Sequence, residues 1–261
     1  MDNRIHLAIP AVGDWRQRAE ITARSAIRGS SLPVCVHYLD WTNVDREKME
    51  RLGSWHGSAI AWSRMFLDEI LPQDVDWVIS ADADVLFCGD IAELWKLRDE
   101  RYLARGSVDS PPPWQAHDPN DFCTGLSMFN LRRWRTEGWS AKLADWLAEN
   151  PHETFIDQVA LNRVFAEVKT LLPRPWGCFS GDANIGIDYD GNCAIHFVAD
   201  PPWTRGKLTQ LMSDAVVRWR QEAGLPYGGW RRWLYCLLRA TRGIWGWLPW
   251  FGWHFRSAKH R

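Results

Sequence analysis

Val78-Ile79-Ser80-Ala81-Asp82-Ala83-Asp84-Val85-Leu86-Phe87 is an apolar run broken by two carboxylates two residues apart. With Trp77 ahead of it, the first half reads as a fully buried strand, and the acidic pair falls at its exit. On extended chain, side chains at i and i+2 point the same way, so Asp82 and Asp84 can share one cation. Hard carboxylate oxygens suit Mg or Mn. The pair alone is a weak signal. Asp is about a twentieth of an average chain, so such a spacing arises by chance on the order of once in this length, and a solvated turn would carry it equally well.

Working outward, Ile5-His6-Leu7-Ala8-Ile9 and Val34 to Leu39 read as buried strands, with a helix from Trp15 to Ile27 between them closed by Gly29. Ala59 to Ile70 has apolar residues at helical spacing and is stopped by Leu71-Pro72. Downstream, Arg101 to Val108, Leu126 to Phe129 and Ala194 to Val198 read as strands, and Arg132 to Ala148 and Phe155 to Phe165 as helices. Strands alternating with helices predict an α/β fold with a mainly parallel sheet, whose ligands collect at the carboxyl ends of the strands. Asp82 lies at such an end.

The chain has 261 residues, enough for one large domain or a domain with a small appendage. A formal net charge of −1 argues against the basic footprint that nucleic-acid binding needs. Six cysteines without C-x-x-C spacing read as reduced thiols, and the N-terminus lacks the apolar core of a signal peptide. Together these point to a cytoplasmic protein.

Charge is distributed unevenly. No Asp or Glu follows Glu222, while Arg231, Arg232, Arg239, Arg242, Arg256, Lys259 and Arg261 do. A stripe from Leu208 to Trp219 reads as one helix. A second places Trp230, Trp233, Leu234, Leu237 and Leu238 on one face, ahead of Trp245, Trp247, Trp250 and Trp253. Cationic and Trp-rich, residues 206–261 read as a helical extension that docks on a membrane surface from the cytoplasmic side, after a catalytic domain over 1–205. The bland alternative is that these Trp pack on the catalytic domain.

The stretch around Asp82 continues into Gly89-Asp90-Ile91-Ala92-Glu93-Leu94-Trp95 and resembles the signature of the family 8 glycosyltransferases. Further blocks follow in the family's order. Trp62-Ser63-Arg64-Met65 resembles its short motif with a nucleotide-contacting Arg, and Phe122-Cys123-Thr124-Gly125-Leu126 its F-N-A-G-V segment. Asp157-Gln158-x-x-Leu161-Asn162 matches D-Q-x-x-L-N, and His196-Phe197 to Pro202-Trp203 resembles its H-F-x-G-x-x-K-P-W close.

The resemblance implies a Rossmann-like nucleotide-sugar-binding domain of the GT-A type and a retaining hexosyltransferase. It implies that Asp82, Asp84 and His196 ligate Mn, or Mg. Arg64, Ala83, Asp109, Thr124 and Gly125 would contact the donor, and Asp157 and Gln158 would face the anomeric carbon. The partners implied are a UDP-hexose donor and, given the tail, a glycan or glycolipid acceptor such as lipopolysaccharide.

Three departures matter. Pro10-Ala11-Val12-Gly13 stands where the family has an Asp and Asn for the base, and Cys123 stands for Asn. Pro201 replaces the Lys expected on the diphosphate, a charge that Arg205 or Lys207 could supply. Two other functions compete: a nucleotidyltransferase, which would need a Gly-rich basic loop that the N-terminal segment lacks, and a non-catalytic nucleotide-sugar-binding protein.

Overall fold

A strand buried on both faces needs apolar residues along its whole length, and Ile5–Pro10 (β1) is buried at every position. In the computed structural model it lies inside a six-stranded sheet. Residues 4–54, 58–108, 118–151, 156–179, 191–197, 202–203 and 214–225, with Trp233 and Leu237, are described.

After β1 come Trp15–Gly29 (α1), Val34–Leu39 (β2), Arg46–Arg51 (α2), a 3₁₀ turn over Ile60–Phe66, Leu67–Ile70 (α3) and Trp77–Ala81 (β3). Val85–Cys88 (β4), Ile91–Trp95 (α4), Ala104–Val108 (β5) and Phe122–Asn130 (β6) follow. The remainder is Leu131–Thr136 (α5), Trp139–Glu149 (α6), Ile156–Val164 (α7), Lys169–Leu171 (β7), Cys178–Phe179 (β8), Cys193–His196 (β9) and Asp214–Glu222 (α8).

The large sheet has the order β2-β1-β3-β6-β5-β7. β1 is parallel to β2 and β3, and β5 to β7, while β6 is antiparallel to both its neighbours. The sheet is thus mainly parallel, with β6 alone reversed, and the expected α/β architecture is present. Side chains alternate across it: Ile5, Leu7 and Ile9 join the core under α1 and α4, whereas Ala8 joins the opposite core with Trp134, Leu143 and Leu161.

A second sheet, β4-β9-β8, stands beside the first. It is made by the other half of the acidic signature: β4 pairs antiparallel with β9, Val85 opposite His196. Ala215, Val216 and Trp219 of α8 are buried against Ile21, Leu86, Ile195 and Phe197. Arg28 of α1 reaches Glu222 at 2.8 Å. This helix, placed by the sequence reading in the extension after residue 205, packs on α1 and the small sheet.

Two helices differ from their sequence reading. The segment beginning at Ala59 winds as a 3₁₀ turn over Ile60–Phe66, with Ile60, Trp62, Ser63, Arg64 and Met65 buried, and becomes α-helical only at α3. The helix expected over 132–148 breaks at Gly138, whose φ of 67° is left-handed. No helix among the described residues is long and apolar enough to cross a membrane.

Candidate active site

β3 ends at Ala81, and the Asp82 amide donates to the Gly125 carbonyl at 2.8 Å, extending the β3·β6 ladder by one step. Because β6 runs backwards, its first residues lie against the carboxyl end of β3. The reversed strand is what delivers Cys123, Thr124 and Gly125 to the acidic pair.

The backbone around Ala83 is held from two sides. Thr22 Oγ1 on α1 donates to the carbonyls of Ala83 and Val85, at 3.1 and 2.8 Å. The Phe197 amide donates to the Asp84 carbonyl at 3.0 Å. A buried hydroxyl satisfying two carbonyls fixes the turn, so both carboxylates project from a rigid frame. Thr22 carried no signal in the sequence beyond being a polar residue on a buried helix face.

His196 closes the cluster from the end of β9. Its Nε2 lies 3.2 Å from Asp84 Oδ1 and 3.6 Å from Asp82 Oδ2. Burial works to lower the His196 pKa, but the facing Asp84 carboxylate outweighs it and holds the imidazole well above its ordinary value. The ligand atoms of Asp82, Asp84 and His196 all lie within 4.8 Å of one another. Two carboxylates and one imidazole around a common point are a donor set that could hold a divalent cation. On its far side His196 Nδ1 meets Cys123 Sγ at 3.8 Å. The residue that departs from the family motif thus packs against the histidine.

Arg64 is 3% exposed and, besides donating from Nε to the carbonyl of Ala61 at 3.3 Å, engages three more distant partners in sequence. Its Nη2 contacts Asp82 Oδ1, its Nη1 donates to the Thr124 carbonyl, and its Nε is 3.0 Å from Asp157 Oδ2. Burial disfavours its charge, yet Asp82 and Asp157 more than restore it. Asp82 is affected in the opposite sense: burial pushes its carboxyl up, but Arg64 and His196 bring it below the ordinary range. For Asp157 burial wins, aided by repulsion from Asp82, and its pKa is raised despite Arg64.

The start of α7 faces the start of β6. Thr124 Oγ1 donates to Asp157 at 3.1 Å, and the Thr124 amide donates to Gln158 Oε1 at 3.3 Å. Asn162, one turn on, accepts from the Phe122 amide at 2.9 Å and donates to the Phe122 carbonyl at 2.8 Å. The sequence carried Asn162 inside a motif without a role. Its role is to clamp α7 onto β6, as a strand residue would.

Arg18 of α1 was also missed. Its guanidinium lies 4.4 Å from the Trp15 ring and 4.2 Å from the Trp203 ring, close enough to the acidic pair to feel the charge of Asp84. Beyond the ends of β1 and β2, a cleft of about 410 Å³ is lined by Val12, Trp41, Arg46, Glu50, Ser54 and Ser58. Of the site residues expected from sequence, the structure brings together Arg64, Asp82, Ala83, Asp84, Thr124, Gly125, Asp157, Gln158 and His196. Asp109, Arg205 and Lys207 lie outside the described residues.

Among solved structures, the chain is similar to the galactosyltransferase LgtC crystallised with donor and acceptor sugar analogues (TM-score 0.68, 17% identity, covering 84% of this chain and 95% of that one). It is also similar to the glycosyltransferase GlyE of Streptococcus pneumoniae TIGR4 (TM-score 0.64, 16% identity, 92% and 64%). Among characterised sequences, it is 24% identical over 137 residues to general stress protein A of Bacillus subtilis (strain 168), covering 48% of each chain. It is 28% identical over 109 residues to probable galacturonosyltransferase-like 10 of Arabidopsis thaliana, covering 34% of this chain and 30% of that one. The chain thus spans half or less of the length of these two relatives. The glycosyl transferase family 8 model matches residues 34–203, which include every clustered residue of the site, and the chain belongs to that family.

Proposed function

We propose that this protein is a retaining hexosyltransferase that moves a hexose from UDP-galactose or UDP-glucose to a surface glycan acceptor of the lipopolysaccharide type. The observation that carries the reading is the meeting of Asp82, Asp84 and His196 beside the buried Arg64 and the Asp157-Gln158 pair. In this reading those three side chains hold Mn, with Mg as the alternative. The bound dication supplies Lewis-acid neutralisation of the charge that appears on the departing diphosphate.

The other roles belong to the chain's own groups. His196 must release its proton before its Nε2 can act as a ligand, so metal binding and proton loss are linked. The cleft at Trp41 receives the base, with the indole as a stacking face. Arg18 supplies the cation on the diphosphate that Pro201 does not. Asp157, engaged with Arg64 and Thr124, orients those groups, and Gln158 faces the anomeric carbon.

The acceptor is reached at the cytoplasmic membrane surface through residues beyond Gly224. Trp233 and Leu237, on the apolar stripe read from sequence, are 67% and 43% exposed, which supports a docking face.

The test is a panel of nucleotide-sugars with and without Mn, read as donor hydrolysis and as a rise in Tm, since a ligand that binds only the folded state must stabilise it. Mn-dependent hydrolysis of a UDP-hexose that Asp84→Asn abolishes is expected. Hydrolysis unaffected by chelator and by Asp84→Asn would remove the metal from the reading.

A further inference from the structure

A second cluster of ligating side chains lies at the other end of the sheet. Cys35 and His37 are i and i+2 on β2, so they share one face, and the parallel register sets His6 of β1 against Cys35. That face also carries Ala8 and Leu39. His6 Nδ1 lies 2.9 Å from His37 Nε2, with the rings stacked 5.2 Å apart at 19°. A ligand atom from each of His6, Cys35 and His37 lies within 4.8 Å of the others. In the β1·β3 register Ala8 is level with Ser80, so His6 is level with Val78, four residues short of Asp82. That is a separation of about 13 Å along the strands.

We propose that His6, Cys35 and His37 form a second metal site, for Zn or a similar borderline transition dication, that fastens β2 to β1. Two imidazoles and a thiol form a softer donor set than the carboxylate-rich cluster at Asp82, so the two sites select different ions. Around tetrahedral Zn, with Zn–N of about 2.0–2.1 Å and Zn–S of about 2.3 Å, two nitrogens sit roughly 3.3 Å apart. The His6–His37 pair therefore has to open by only a few tenths of an ångström to admit the ion.

Access and benefit both follow from position. β2 is the last strand on its side of the sheet, and Cys35 and His37 are only half-buried, so an ion can enter from that edge. Arg4 and Asp74, the latter on the turn before β3, are both near enough to influence His37 electrostatically, in opposite senses. A hydrogen-bonded histidine pair would account for two of the three residues. It gives no role to the thiol that completes the triangle.

The full chain, stripped with chelator, is titrated with Co(II) in excess Mg, which occupies the oxygen-rich site. One equivalent of Co(II) should appear with a thiolate-to-metal charge-transfer band, and Zn should displace it and raise Tm. Cys35→Ser should lose the band, and His37→Gln should lose both tight binding and the Zn-dependent rise in Tm. Asp84→Asn and Cys123→Ser should keep both. Equal Tm of each variant and the parent in chelator shows that the fold is retained. A band that survives Cys35→Ser, or a parent chain that gives neither band nor Tm rise, overturns the proposal. Because Asp84→Asn is expected to retain this response, failure here is distinct from failure of the donor-site reading.

Discussion

Gly125 lies directly beneath the imidazole of His196, and a Cβ added there would overlap the ring, 2.8 Å from Nε2. The position needs glycine for space and not for an unusual backbone angle, since Gly125 is not among the left-handed glycines. β6 passes under the end of β9 at this residue. The histidine's approach to Asp84 depends on that passage.

Gly125→Ala should therefore push His196 away from the carboxylates. A loss on the order of 10–100-fold in Mn affinity is expected, of the size seen when a ligand's support is removed, with about 1–3 kcal/mol of overpacking cost to stability. Isothermal titration with Mn and urea unfolding measure the two effects separately. Wild-type Mn affinity in this variant would show that His196 does not need its present seat.

Arg64 gives a second prediction. Removing one member of a buried charge cluster leaves the others uncompensated, at about 3–5 kcal/mol. Arg64→Ala strands Asp82 and Asp157 together and should lose that much by urea unfolding. Asp157→Asn should cost less, because burial already raises the Asp157 pKa and the carboxylate is ionised against resistance. Arg64→Lys should fall between the two, since one ammonium cannot reach Asp82, Thr124 and Asp157 with the guanidinium's fork. The reverse order for Arg64→Ala and Asp157→Asn would mean that the aspartate and not the arginine organises the cluster.

Much of this site was legible because it is carried by short local patterns. Asp82 and Asp84 showed themselves by spacing at a strand exit, whereas Asp157, Gln158 and His196 entered only through the motifs that resemble the family's. Thr22 and Arg18 entered by neither route, because their importance comes from α1 lying under the Asp82–Val85 turn, a contact between residues some sixty positions apart. β4 was hidden for a related reason: its four residues form a strand only by pairing with β9, more than a hundred residues later. The reversal of β6 left no mark in composition, since a buried strand reads the same in either direction.

Glu100 predicts a pH dependence away from the Asp82–Asp84–His196 cluster. It accepts from Trp77 Nε1 at 3.2 Å, Asn130 Nδ2 at 2.8 Å and Arg132 at 2.7 Å. Burial pushes its pKa up, but these three donors outweigh burial and bring it below the ordinary value. A depressed folded pKa contributes stability that is fully present above the unfolded value of about 4.3 and is lost as pH falls through the folded one. Glu100→Gln should thus be less stable than the parent at pH 7, with the gap closing towards pH 3. Urea midpoints at the two pH values decide it, and a gap that widens in acid would reverse the assignment.

The membrane-docking reading predicts a difference between two chain lengths. A chain ending at Gly224 keeps α8, with its Arg28–Glu222 ion pair, and so keeps the packed body. The full chain should pellet with vesicles containing anionic lipid, less so in high salt, and the shortened chain should stay in the supernatant. Equal pelleting would place any lipid contact elsewhere on the protein.

Arg18 supplies the most exacting prediction, because two sources compete for the charge on the diphosphate. Its guanidinium is held between Trp15 and Trp203 and feels Asp84, whereas Arg205 and Lys207 were favoured from sequence alone. A hydrogen bond to a charged group is worth about 1.5–3 kcal/mol, so Arg18→Gln should weaken UDP binding roughly 10- to 100-fold while leaving uridine binding unchanged. That contrast separates a diphosphate contact from loosened packing, since losing the stacked cation would lower Tm and weaken both ligands together. Arg18→Lys should recover part of the UDP affinity, as a point charge without the fork. If Arg18→Gln binds UDP normally and the double change at Arg205 and Lys207 does not, the charge comes from the later segment and Arg18 serves only to hold Trp203 in place.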